Sequence, residues 1–119
     1  MQTFTVPIKI PSLNEYTSAC RTNAYAGAKM KKDVQTTVAL FAKRLKPVTK
    51  PVTVAFEWTE KNKRRDLDNV SYGKKFILDA LVEAGILPDD SPRWVRGFTD
   101  TFALGNDYKV TITIKEEEQ

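Results

Sequence analysis

The run Lys61-Asn62-Lys63-Arg64-Arg65-Asp66-Leu67-Asp68-Asn69 leads four cations directly into two carboxylates. A site for a phosphate and its counter-cation needs this concentration of opposite charge. In extended backbone, residues two apart point to the same side about 6.5 to 7 Å from one another, so Asp66 and Asp68 are expected to converge on one cation while Leu67 anchors into the core. Mg²⁺ suits such a site, because it takes oxygen ligands from a few carboxylates and fills its remaining positions with water and phosphate. Arg64 and Arg65 are placed to hold neighbouring phosphates, since guanidinium matches phosphate oxygens bidentately. The competing reading is that Asp68 or Asn69 caps a helix, Asp66 pairs with an arginine, and the basic run is a solvated loop or a localisation signal.

A third acid is offered by Pro88-Asp89-Asp90-Ser91-Pro92, which on its own reads as a turn. A helix of about 16 residues is roughly 24 Å long, so the chain after it must fold back before Asp90 can join Asp66 and Asp68. Lys75 follows Asp68 by two helical turns, shares its azimuth on a continuous helix, and leans towards the acids because helical side chains tilt N-terminally. Its competing role is an i,i+4 pair with Asp79. Lys74 points about 100° away, towards the edge of the apolar face.

Other chemistries are excluded by composition. Histidine is absent from the 119 residues and Cys20 is the only cysteine, which removes His-based general bases, Ser-His and Cys-His nucleophile pairs, thiolate zinc cages and intrachain disulfides. The net charge of +4 is compatible with nucleic acid and does not prove it. No apolar run approaches the ~20 residues that span a bilayer. Met1 to Ile10 alternates instead of forming a signal sequence, so the expected location is the cytoplasm.

The elements that must position these residues follow from periodicity. Thr3–Ile10 alternates as a strand, with Pro7 suggesting an edge. Pro11–Gly27 has no strong period, and Met30, Val34, Val38, Phe41 and Leu45 then mark a helix ending before Pro47. Val52–Trp58 alternates as a second strand. Asn69–Ala84 carries its apolar residues on one helical face and stops at Gly85. Trp94–Ala103 and Tyr108–Lys115 read as strands joined in a hairpin through Gly105, Asn106 and Asp107. The expectation is a single α+β domain over residues 1–119: two layers, a mixed sheet of about four strands and two main helices, in the order β-α-β-α-β-β.

Taken together the motifs resemble the RusA family of Holliday-junction resolvases, often carried by phages and prophages. The resemblance covers Pro11-Ser12-Leu13-Asn14-Glu15-Tyr16, Arg65-Asp66-Leu67-Asp68-Asn69, Leu78-Asp79-Ala80-Leu81 with Ala84-Gly85, and Asp89-Asp90, in order and at similar spacing. It implies a homodimeric endonuclease that resolves four-way DNA junctions in recombination and repair, with Mg²⁺ held by Asp66, Asp68 and Asp90 and with Mn²⁺ able to substitute. Lys61, Lys63, Arg64, Arg65, Asn69 and Lys74 become the expected DNA contacts, and Arg65 and Asn69 are equally placed to support the acids. The family's functional lysine falls about one turn after the second Asp, where this chain has Tyr72. Aligning backwards from Asp79-Ala80-Leu81 puts Lys75 in that role, with Lys74 as the adjacent choice. Trp58, Trp94 and Tyr72 are candidates for stacking on opened bases, against ordinary burial. The competing functions are a Mg²⁺-dependent nuclease for other branched DNA and a non-catalytic junction-binding protein.

Overall fold

The computed structural model describes residues 1–118. Its first strand, β1 (Gln2–Val6), points Phe4 and Val6 into the core. Helix α1 (Leu13–Thr22) follows, started by a capping box in which the Glu15 N–H donates to Ser12 Oγ and the Ser12 N–H donates to Glu15 Oε1, both at 3.2 Å. Asn23 ends α1 and begins α2 (Ala24–Phe41), its Oδ1 accepting the Ala26 N–H at 2.7 Å. The irregular stretch expected before Gly27 is therefore helical. With no residue of α1 buried, that helix had no apolar period to betray it.

Strand β2 (Val52–Glu60) is central, parallel to β3 (Val95–Leu104) on one side and antiparallel to β4 (Lys109–Glu116) on the other. Strand β4 also pairs with β1, giving the order β1-β4-β2-β3 and placing β1 at an edge, as Pro7 suggested. The expected hairpin of the last two strands does not form, because β2 lies between them. Strand β2 buries Val52, Val54, Phe56 and Trp58, and two flanking neighbours cover it better than one. Residues 105–108 step over its end, a span of about 10 Å that four residues reach easily. The Gly105 N–H donates to the Glu60 carbonyl at 2.9 Å during that crossing.

Between β2 and β3 the expected single helix is broken into α3 (Leu67–Ser71) and α4 (Lys74–Glu83). The break falls at Tyr72–Gly73, where a Cβ on Gly73 would lie 2.5 Å from Ile10 Cγ2. Only glycine lets this turn seat against the segment after β1. Helix α4 buries Phe76, Ile77, Leu78, Ala80 and Leu81 and ends in a Schellman motif, with Gly85 at φ 79° and the Ile86 and Gly85 N–H groups donating to the Leu81 and Val82 carbonyls. The first expected helix is thus preceded by an additional one, α1, the second is a pair, and all the helices lie on one face of the mixed sheet.

Candidate active site

Glu60 ends β2 and is buried, at 8% exposure. A buried carboxylate needs a partner, and Arg65 supplies it. The Arg65 Nε and Nη2 donate to Glu60 Oε1 and Oε2 at 2.8 and 2.9 Å, and its Nη1 donates to the Ile10 carbonyl at 2.9 Å and Glu15 Oε1 at 2.8 Å. Burial alone would lower the guanidinium pKa, but Glu60 and Glu15 outweigh it and raise it. Burial likewise pushes Glu15 up, and the Ser12 N–H and Arg65 outweigh that to hold it below the usual range. Arg65, expected to face DNA phosphate, is therefore turned inward, its donors taken by protein groups. It fastens the chain immediately before Asp66 to β2, α1 and the end of the β1 connection.

Asp66 occupies the N-cap position of α3 in extended conformation, with φ −67° and ψ 145°, yet its side chain makes no capping bond. Asp68 stands in the first helical turn, its Oδ1 accepting the N–H of its neighbour Asn69 at 3.0 Å. Both acids are exposed, and neither has a cation within 4.0 Å among the described residues. Neither Asp68 nor Asn69 stands at the cap position, and Asp66 pairs with no arginine among the described residues, so the competing explanation of these acids is not realised. The strand-type spacing is not realised either, because residues 67 and 68 are already helical. Leu67 does not anchor in the core. It is 56% exposed and lines a hollow of about 390 Å³ with Asp66, Phe102 and Leu104.

The turn after α4 divides two adjacent acids by role. Asp89 accepts the Ser91 N–H at 2.8 Å and the Ser91 hydroxyl, which lowers its pKa and fixes the turn. Asp90 is left to meet Lys75, whose Nζ stands 3.3 Å from Asp90 Oδ2 and 2.9 Å from Asp79 Oδ1. The chain does fold back, far enough to bring Asp90 to this lysine. The hydrogen bond to Asp79 comes first and the one to Asp90 follows in raising the Lys75 pKa, which keeps the ammonium charged and makes it unsuited to act as a base. Its lean differs from the expected one. With the helix broken at Gly73, Lys75 no longer continues the azimuth of Asp68, and its ammonium reaches the acids beside α4. No three acidic side chains gather tightly enough to hold one metal ion among the described residues.

Lys74 also turns inward, pairing with Asp100 of β3 while its ammonium lies 5.0 Å from the Phe98 ring centroid and 5.7 Å from that of Phe56. Asp100 accepts the Trp58 indole N–H at 2.8 Å as well. Trp58 is thus core rather than a stacking platform, and Tyr72 is packed against Tyr16 and Phe76. Trp94 is half-buried against the core. Lys61, Lys63 and Arg64 remain exposed and without acid partners among the described residues, while Asn69 borders a hollow with Arg64 and Asp66. The roles of Glu15, Glu60 and Asp100 as partners of Arg65 and Lys74 are not visible in motif spacing. Asp100 left a signal, an acid on the same strand face as Phe98 and Phe102.

Asp66 and Asp68 supply hard oxygen donors without neutralising partners, a set that fits Mg²⁺, which needs only one or two carboxylates plus water and phosphate. No helix is long and apolar enough to cross a membrane among the described residues. No curated protein matches the chain. A family model described as Endodeoxyribonuclease RusA matches residues 2–115. The chain belongs to the RusA endodeoxyribonuclease family.

Proposed function

We propose that the protein is a Mg²⁺-dependent endonuclease that resolves four-way DNA junctions as a homodimer in recombination and repair. The observation that carries this reading is the pair of exposed, unneutralised carboxylates, Asp66 and Asp68, held at the start of α3 by the Arg65 clamp in a chain of this family. These two acids would hold the ion. When bound, Mg²⁺ supplies charge that lowers the pKa of an attacking water and stabilises the leaving 3′-oxygen.

The chain's own residues do the rest. Asp90, which stands on Lys75 and not with Asp66 and Asp68, would join them as a third acid only by moving off that lysine. Both partners of that ion pair are substantially exposed, at 54% and 40%, so the exchange costs no more than about 1 kcal/mol. Lys75, still held by Asp79 and charged, offsets charge on the phosphate. Lys61, Lys63 and Arg64 hold flanking phosphates without reading bases, which makes binding salt-sensitive and selective for DNA shape. A four-way junction has approximate two-fold symmetry, so two identical subunits match two opposed strands. The test is Mg²⁺-dependent cleavage of synthetic four-way junctions, flaps and nicked duplexes side by side. Paired symmetric nicks in the junction support the reading, and preferential cutting of flaps overturns the junction assignment.

A further inference from the structure

We infer a second DNA-contact site at the end of the sheet, formed by Lys9, Lys61, Tyr108 and Lys109, that takes the phosphodiester backbone of the DNA arm next to the cut; it rests on the endonuclease reading above. These residues line a hollow of about 680 Å³ beside the crossing from β3 to β4. Asp107 is the one acid in that lining, against three lysines. None of the three ammonium groups has a carboxylate within 4.0 Å among the described residues, although acids are plentiful elsewhere and take up Lys29, Lys31, Lys74, Lys75 and Arg96. Unneutralised lysines around a concavity suit phosphates, which they contact as point charges without selecting sequence.

The hollow is also joined physically to the acids. Tyr108 is half-buried, with Lys9 Nζ 5.0 Å and Arg65 Cζ 5.8 Å from its ring centroid, so the guanidinium that fastens Asp66 also borders this ring. Lys9 lines a second hollow as well, of about 310 Å³, together with Arg64, Asp66, Asn69 and Glu15, the last an acid already bonded to Arg65 and only more distantly sensing Lys9. A strand leaving Asp66 through that hollow meets Lys9 and then the Tyr108 hollow. Lys9 and Lys109 thus extend the Lys61–Arg64 loop into a continuous basic track.

The experiment measures binding of a synthetic four-way junction across a salt series for wild type, for the double variant Lys9→Ala with Lys109→Ala, and for Lys115→Ala. Lys115 is exposed on the same strand about 20 Å from Lys109 and serves as the control for loss of one charge, matched to the single Lys9 and Lys109 variants. The double variant is expected to bind roughly 10-fold more weakly, with the slope of log affinity against log salt reduced by about 2, while Lys115→Ala leaves both unchanged. Lys9→Gln and Lys109→Gln, tested singly, should each remove about 1 from the slope. Wild-type cleavage of the junction combined with an unaltered slope in these variants overturns the hollow alone. Failure of the wild type to bind or cut the junction overturns the endonuclease reading and this one with it.

Discussion

Asp90 reaches Lys75 across fifteen residues of chain, with its Oδ2 3.3 Å from the ammonium. The pair closes the return that brings the turn after α4 back towards that helix's first turn. Because both groups are substantially exposed, it contributes little to stability. Asp90→Asn should change unfolding free energy by less than about 1 kcal/mol, yet lower single-turnover cleavage by about 10²-fold or more. Denaturant unfolding and quenched cleavage on the same samples check both halves. Large destabilisation with ordinary cleavage would make the pair structural.

The Arg65 clamp predicts the opposite signature. Arg65→Lys keeps the charge and loses the fork that grips Glu60, leaving a carboxylate of 8% exposure imperfectly paired. The variant should lose about 2 kcal/mol, which thermal unfolding would register as a fall of roughly 6 to 10 °C for a chain of this size. Cleavage should fall at temperatures where the variant is still folded, because Asp66 follows the loosened residue directly.

Glu15 gives a pH dependence with a definite sign. Its carboxyl is held below its ordinary value of 4.5, despite burial, by the Ser12 N–H and Arg65. A group whose pKa falls on folding stabilises the native state above its unfolded value, and that stability is lost as pH drops through the folded value. Stability from Glu15 should therefore be complete near neutral pH and decline progressively as pH falls below about 4.5. Glu15→Gln should flatten that acid limb, read as melting temperature against pH, without moving the neutral region to the same extent as Arg65→Lys.

Gly73→Ala tests the break between α3 and α4. Were residues 67–83 one continuous helix, alanine as the better interior helix former would bring a gain of about 1 kcal/mol. The added Cβ, 2.5 Å from Ile10 Cγ2, should instead cost about 1 to 3 kcal/mol by overpacking. Chemical denaturation decides the sign.

What the sequence disclosed depended on whether a residue's role was local. The alternation of β2 and β4, the Gly85 cap and the edge placement of β1 are local and were readable. The neighbours of β2 were not, since a turn-like Gly105-Asn106-Asp107 serves a hairpin and a step over an intervening strand equally well. Helix α1 was hidden because none of its residues is buried, although Ser12 and Glu15 spelled its capping box. At the site, the concentration of charge around Asp66 and Asp68 was legible. The inward turn of Arg65 was not, because its partners Glu60, Glu15 and Ile10 come from separate elements. The pair of Lys75 with Asp79 was legible as i,i+4 spacing on one helix, while its contact with Asp90 was not, because it depends on the return of the chain after α4.

Asp68→Asn tests the central claim most directly. Asp68 has no cation partner to lose, and Asn suits the start of a helix, so the variant should fold and bind a four-way junction at least as tightly as wild type. With Mg²⁺ present, wild type should nick the junction symmetrically and Asp68→Asn should be slower by about 10³-fold. Normal cutting by Asp68→Asn, or a wild type that binds the junction and never cuts it in Mg²⁺ or Mn²⁺, would contradict the account.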